Sequence, residues 1–121
     1  MKVNKVVLLL SNTSWYLYNF KKKLIDELIK NEYKVYLVAP FDKHTRDFEN
    51  RGIKVINWHL NRKSLNPLSA LLSIMHLIYV YAKIKPNLVH HFTIKSIVYG
   101  TIAARIINIK TVINAFTGLG P

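Results

Sequence analysis

No cysteine occurs among the 121 residues. Disulfide scaffolds and thiolate metal sites are therefore excluded, and the composition fits a reducing compartment such as the cytoplasm. Glycine is scarce, at four residues, and none stands in the loop that follows the first apolar run. Neither a Gly-x-Gly-x-x-Gly dinucleotide fingerprint nor a glycine-rich phosphate loop ending in lysine is present, which argues against NAD and ATP as ligands. Acidic residues number six, all between Asp26 and Glu49. With no carboxylate near the pair His90–His91, neither a catalytic triad nor a histidine–carboxylate metal site can be assembled locally, and a self-contained hydrolase is not expected. The opening MKVNKVVLLLSNTSWY has too short an apolar run, and no small-residue cleavage site, for a secretory leader. It reads as a first strand.

Half of the residues are apolar and 20% are charged, a composition that folds rather than staying disordered. The length suits one domain. Eighteen basic residues against six acidic ones give a formal charge of +12, which attracts phosphates, anionic lipid headgroups or nucleic acid. No nucleic-acid-binding motif accompanies the charge, so no nucleic-acid partner is expected.

Five runs rich in β-branched residues read as strands: Val6 to Leu10, Val35 to Ala39, Lys54 to Trp58, Leu88 to Phe92 and Thr111 to Phe116. The first two are nearly continuous in apolar character, as in the centre of a parallel sheet covered on both faces. Between the runs lie helical patterns. Leu17, Phe20, Leu24 and Leu28 describe one amphipathic helix with lysines on its wet side,. Thr45 to Asn50 forms a short helix that ends at Gly52,. Ile94, Ile97, Val98, Ile102 and Ile106 predict a buried helix face behind a capping Thr93,. Leu65 to Lys83 holds a charge-free stretch from Ser64 to Ala82. It suits a packed crossover helix, a helix lying in a bilayer interface, or a membrane span. Strands alternating with helices predict an α/β fold, a doubly wound Rossmann-like parallel sheet flanked by helices, with ligands bound beyond the carboxyl ends of the strands.

The polar residues at those ends are the candidates. Ser11, Asn12, Thr13 and Ser14 enter a helix whose amino end suits a phosphate or a sugar, although Thr13 or Ser14 equally serves as an ordinary cap. This loop is similar to the phosphate loop of flavodoxins without its usual glycine. Trp15, Tyr16 and Tyr18 suit stacking on a sugar ring, a membrane interface or internal packing. His90 and His91 are candidate donors to a pyrophosphate, but neighbours on a strand point to opposite sides, so one of them is structural. Asp42 stands where an acid binds ribose in dinucleotide folds, or in a solvated turn. Arg62 and Lys63 form a phosphate clamp or a wet loop.

Taken together, NTSWYLYNF, RKSLNPL, LVHHFTIKSIVYGTIAAR and INAFTGLG resemble the amino-terminal domain of family-4-type bacterial glycosyltransferases, which build capsule, O-antigen and other surface glycans. The resemblance runs over nearly the whole chain. It departs at Lys21, where relatives often carry arginine, and at Ser96, where they often carry proline. It implies a GT-B enzyme in which two Rossmann-like domains face each other, the first contributing most of the acceptor site and the second binding the nucleotide-sugar. Residues 1–121 then form the acceptor-side domain, the carboxyl-terminal donor-binding domain is absent, and this truncated chain is inactive alone. The resemblance also implies a retaining transferase that uses no metal or other cofactor. Catalytic residues stay unassigned. Substrate contacts fall to Ser11, Thr13, Ser14, Trp15, Asn19, His90, His91, Thr93, Lys95 and Gly118. The implied partners are a lipid-linked saccharide acceptor and a nucleotide-sugar held by a second domain or partner chain. An anionic membrane surface is a third, met by the Lys-rich first helix together with Leu65 to Lys83, which places the protein peripherally on the cytoplasmic face of the inner membrane. Two other readings are a stand-alone binding or membrane-recruitment subunit of a split glycosyltransferase and a flavodoxin-like FMN module.

Overall fold

Val7, Leu8, Leu9 and Leu10 have almost no exposed surface, because the run they form is the middle of a sheet with helices packed on both sides. The computed structural model of the chain describes residues 5–60 and 66–115. Its elements run β1 (Val6–Leu10), α1 (Ser14–Phe20), α2 (Lys22–Lys30), β2 (Lys34–Ala39), α3 (Thr45–Asn50), β3 (Lys54–Asn57), α4 (Pro67–Ile84), β4 (Leu88–Phe92), α5 (Ile94–Ile107) and β5 (Thr111–Ala115). The five strands are all parallel, in the order β3-β2-β1-β4-β5. This is the expected Rossmann-like fold.

Alternation along the strands divides the core in two. Val7, Leu9, Leu37, Val55 and Phe92 meet Leu17, Ile25 and Phe48 from α1, α2 and α3 on one face. Leu8, Leu10, Val38 and Val89 meet Leu77, Val80 and Tyr81 from α4 and Ala103 and Ala104 from α5 on the other. The Lys-rich α2 and the apolar α4 therefore lie on opposite faces of the sheet. They cannot press on one membrane surface together, which corrects the expectation that they do.

The single amphipathic helix expected over Leu17 to Leu28 is two helices. The chain breaks at Lys21, whose φ of −124° and ψ of 13° lie outside the helical region, and Phe20 is left 59% exposed. The break sends the Lys21 ammonium over the Phe92 ring, 5.0 Å from its centroid. α3 ends as expected: Gly52 takes a φ of 79°, a left-handed conformation that costs glycine nothing,.

α4 crosses over from β3 to β4 with its inner side packed on the sheet and its outer side exposed. Asn66 caps it by accepting from the Leu68 N–H at 2.9 Å, Pro67 opens its first turn,, and its inner side is locked to β3's exit. There the Trp58 indole donates to the Ser73 carbonyl at 3.1 Å, and the Ser73 hydroxyl donates to the His59 carbonyl at 3.0 Å.

The buried side of α5 is not the isoleucine row. Ile94, Val98, Ile102 and Ile106 are exposed, and the face against the sheet is Ser96, Ile97, Gly100, Ala103 and Ala104. At Gly100 any side chain would run into the His91 ring, and Ala103 and Ala104 let α5 pack close to the sheet there, while Ile97 fills the space one turn earlier,. Ile97→Ala should therefore cost about 2–4 kcal/mol by opening a cavity. Val98→Ala, on the same helix one residue on, should change stability by less than about 0.5 kcal/mol. Urea unfolding of the two variants checks both.

Candidate functional site at the β1–β4 switch

β1 and β4 lie side by side, Leu10 opposite His91, but their chains leave in opposite directions, β1 into α1 on one face and β4 into α5 on the other. The two exit loops therefore part, and the crevice between such loops is where doubly wound sheets bind ligands. Thr13 and Trp15 lie at the β1 exit and Thr93 and Lys95 at the β4 exit.

The β1 side of the crevice is mostly closed by the protein's own groups. Ser11 and Ser14 are fully buried. The Ser11 Oγ accepts from the Thr13 N–H at 3.4 Å, and the Ser14 hydroxyl lies 3.1 Å from the Thr45 Oγ1 and 3.3 Å from the Pro40 carbonyl oxygen. Thr13 caps α1, accepting from the Tyr16 N–H at 3.0 Å. The Trp15 N–H is taken by the Asp42 carboxylate at 2.9 Å, whose other oxygen accepts from the His44 N–H at 2.8 Å. An anion thus already occupies the amino end of α1, and it comes from β2's exit loop. Ser11 and Ser14 thus act as a structural brace, and Asp42 lies in an exposed turn, as one of its two readings has it, with its carboxylate spent on backbone N–H groups. Asn19 donates to the Trp15 carbonyl at 2.9 Å and remains exposed beside that brace.

The two histidines separate as strand geometry requires. His91 is fully buried, held between the Tyr81 hydroxyl on α4 and the Asn114 Oδ1 on β5, each at 2.8 Å. Since an amide oxygen only accepts, Nδ1 carries the ring proton and Nε2 accepts from Tyr81. Asn114 continues the chain, its Nδ2 donating to Thr101 on α5 at 3.2 Å. The imidazole also fills the space over Gly100, where any β-carbon would run into the ring. His91 is therefore the buried, internally bonded member of the pair. Burial, joined by the charge on His90 and opposed by the Asn114 hydrogen bond, pulls it down to about 4, while burial pushes the Tyr81 phenol up.

His90 points to the α1–α2 side. Its ring lies 4.2 Å from that of Phe92, centroid to centroid, and partial burial followed by the Lys21 charge lowers its proton affinity, so it is neutral at pH 7. At the top of β4, Thr93 has a φ of 75° and a ψ of 154°. A β-branched residue in that region is strained by about 1–3 kcal/mol, and such strain collects at functional turns. Thr93 precedes α5 without capping it through its side chain. Its hydroxyl lies 3.0 Å from that of the buried Ser96 instead, which corrects the capping role expected of it. Lys95, in the first turn of α5, is half-buried.

Beside the crevice stands a shelf that the sequence concealed. Trp15 is 48% exposed and meets Phe20 edge-on at 5.6 Å. Tyr16 lies 5.2 Å from Phe20 and 6.1 Å from Phe92, with the Lys21 ammonium over the Phe92 ring. In sequence Lys21 is one lysine of three on an apparent helix, and only the break between α1 and α2 turns it toward β4. Gly118, Arg62 and Lys63 lie outside the described residues. Among those described, no cluster of histidines and carboxylates is arranged to hold a metal ion.

Comparison with known proteins agrees with this architecture. A sequence model of the family described as glycosyl transferase 4-like matches residues 6–120. The N,N'-diacetylbacillosaminyl-diphospho-undecaprenol alpha-1,3-N-acetylgalactosaminyltransferase of Campylobacter jejuni is 28% identical over 111 residues, which are 92% of this chain and 30% of that protein. Among solved structures, Acinetobacter baumannii MurG superposes with a TM-score of 0.72 at 17% identity, over 97% of this chain and 42% of the other. A UDP-N-acetylglucosamine 2-epimerase does so with a TM-score of 0.71 at 21% identity, over 100% and 34%. At such identities the structural likeness is one of fold. The chain spans about a third of its curated relative's length.

Two expectations follow from the site. An unfolded histidine titrates near 6.5 and His91 near 4. Between those values the unfolded chain holds a proton that the folded chain refuses, so His91's contribution is intact above pH 6.5 and is lost as the pH falls toward 4. The loss should reach about 3 kcal/mol, and His91→Gln should flatten that part of the profile of urea midpoint against pH. Thr93→Gly should raise stability by about 1 kcal/mol, because relief of the positive φ outweighs glycine's entropic cost. Thermal and urea unfolding will show it.

Proposed function

The chain belongs to the glycosyl transferase 4-like family, and from that membership we propose that it is the acceptor-side portion of a two-domain GT-B glycosyltransferase. In this reading the enzyme transfers a sugar from a nucleotide-sugar to a saccharide carried on a polyprenyl pyrophosphate, in the synthesis of a bacterial surface polysaccharide such as capsule or O-antigen. It works peripherally, at the cytoplasmic face of the inner membrane. The relative from C. jejuni, whose name gives a diphospho-undecaprenol-linked acceptor, supports this class of substrate.

One observation carries the proposal: beside the β1–β4 switch the exposed Trp15 and Phe20 rings meet edge-on and the Lys21 ammonium lies over the Phe92 ring, whereas the Asp42 carboxylate is engaged by the Trp15 and His44 N–H groups. Cationic and aromatic groups together suit a pyrophosphate and a sugar face. Lys21 and Lys95 are placed for the pyrophosphate, and Trp15 with Phe20 for a ring. In the reaction the acceptor hydroxyl attacks the anomeric carbon of the donor. The new C–O bond forms as the bond to the nucleotide's phosphate breaks, the nucleoside diphosphate departs with the electron pair, and the hydroxyl proton is released. The donor side supplies charge stabilisation for that leaving group; this chain orients the acceptor. Retention of configuration is part of the proposal.

A water-soluble, short-chain polyprenyl diphosphate saccharide should bind the chain and quench Trp15, since Trp58 is buried. Lys21→Ala, Lys95→Ala and Trp15→Ala should each weaken binding by at least about tenfold, that is by about 1.4 kcal/mol, with the melting temperature nearly unchanged. Absence of binding, or indifference to all three substitutions, sinks the reading.

A further inference from the structure

The outer side of α4 is apolar where a crossover helix is ordinarily polar. Leu68, Leu72, Met75 and Tyr79 recur at helical spacing and are 61%, 57%, 54% and 60% exposed,. On α5, Val98 and Ile102 continue the surface at 48% and 41%. The two helices pack against each other and run the same way, since both cross between parallel strands. Two apolar rows therefore lie side by side, in a patch of the kind that marks an interaction surface.

The charges around the patch are of one sign. All six acidic residues fall between Asp26 and Glu49, on α2, α3 and the turns beside β2, and α2 and α3 pack on the opposite face of the sheet. There Arg51 pairs with Asp26; Lys22 lies over the Tyr18 ring at 4.2 Å, as Lys83 on the other side lies over the Tyr79 ring at 5.8 Å. On the α4–α5 side the exposed Lys83 and Arg105 interrupt and border the rows, and the sequence after Glu49 supplies no acid to balance them.

A pocket of about 350 Å³ opens where α4 meets the β3 edge of the sheet, lined by Lys54, Lys83, His76, Tyr36 and Tyr79 over an aliphatic floor. Tyr79 and Lys83 border both the pocket and the apolar row. His76 Nδ1 accepts from the His59 N–H at 3.1 Å, which leaves Nε2 as the donor of the neutral ring. Two ammonium groups and an imidazole N–H beside aliphatic side chains suit a phosphate esterified to an apolar tail.

We infer that the α4–α5 face docks on an anionic phospholipid bilayer, with Leu68, Leu72 and Met75 entering the interface and a headgroup phosphate seated between Lys54 and Lys83. A second copy of the chain fits the surface less well, since pairing like faces brings Lys83 and Arg105 against their own kind. The inference deepens the reading of a lipid-linked acceptor and rests on it. It also assigns the membrane contact to one face, where the sequence suggested two segments that the sheet has separated.

The full chain should float with phosphatidylcholine vesicles containing about 30% phosphatidylglycerol. Leu72→Glu with Met75→Glu, both exposed and so compatible with folding, should reduce binding by at least about tenfold. Lys54→Ala with Lys83→Ala should remove most of the preference for these vesicles over pure phosphatidylcholine. Lys22→Gln with Lys23→Gln, on α2, should change binding by less than about threefold. Vesicle binding that survives the α4 pair, or that is lost equally with the α2 pair, overturns the docking face. A dimer abolished by Leu72→Glu and Met75→Glu, in a chain that ignores vesicles, makes the occupant a second copy. Displacement from vesicles by about 1 mM inorganic phosphate makes the pocket a soluble-phosphate site instead. Binding of the short-chain acceptor needs no bilayer, so its persistence in the α4 variant separates failure of this face from failure of the acceptor reading.

Discussion

A parallel sheet must be covered on both faces, and the chain meets that demand by winding outward from β1 twice, in opposite senses. Toward β2 and β3 it lays α1, α2 and α3 on one side; it then returns across α4 to β4 and lays α5 on the other. Connections that keep one hand leave little alternative. The seam between β1 and β4 is where the winding reverses, and the crevice above it follows from topology before any side chain is considered.

Around that seam the side chains fall into two sets. Ser11, Ser14, Thr45 and Asp42 bind one another and the backbone, and Tyr81, His91, Asn114 and Thr101 join α4, β4, β5 and α5 in a buried chain of hydrogen bonds. Among the described residues no buried side-chain nitrogen or oxygen lacks a partner. An unanswered group there would cost about 1–3 kcal/mol, so closing each of these bonds makes the rim rigid. The second set, Trp15, Phe20, Lys21 and the strained Thr93, is held open by that rigidity. A turn with φ at 75° persists only when its surroundings over-determine it, and the neighbouring His91 network supplies that constraint.

Much of the fold was legible, because the strand runs are dense in β-branched residues and the first has no polar position to mistake. Each observed strand lies within one residue of its expected ends among the described residues, Phe116 falling outside them. The helix over Leu17 to Leu28 was misjudged because its apolar spacing continues through Lys21, although the backbone does not. α5 was misjudged because counting large apolar side chains selects the isoleucines, while the closest approach to the sheet demanded Gly100, Ala103 and Ala104. The split between His90 and His91 was foreseeable from strand alternation. Which of them is buried depended on Tyr81 and Asn114, at 10 and 23 residues' remove, and no local pattern carries that.

Charge shows the same limit in another form. A lysine on α2 and one on α4 count equally toward +12, yet the fold gives them different neighbours, sorting the acids onto one side of the sheet with the first and leaving the second without any. The inner side of α4 already satisfies the fold: Leu77 and Tyr81 are fully buried, and Ser73 holds both Trp58 and His59. Packing therefore places no demand on Leu68, Leu72 or Met75, and polar residues at those positions would leave the core untouched while improving solubility. Apolar side chains at positions that folding does not need, beside cations that no acid after Glu49 balances, are what the proposed docking face rests on.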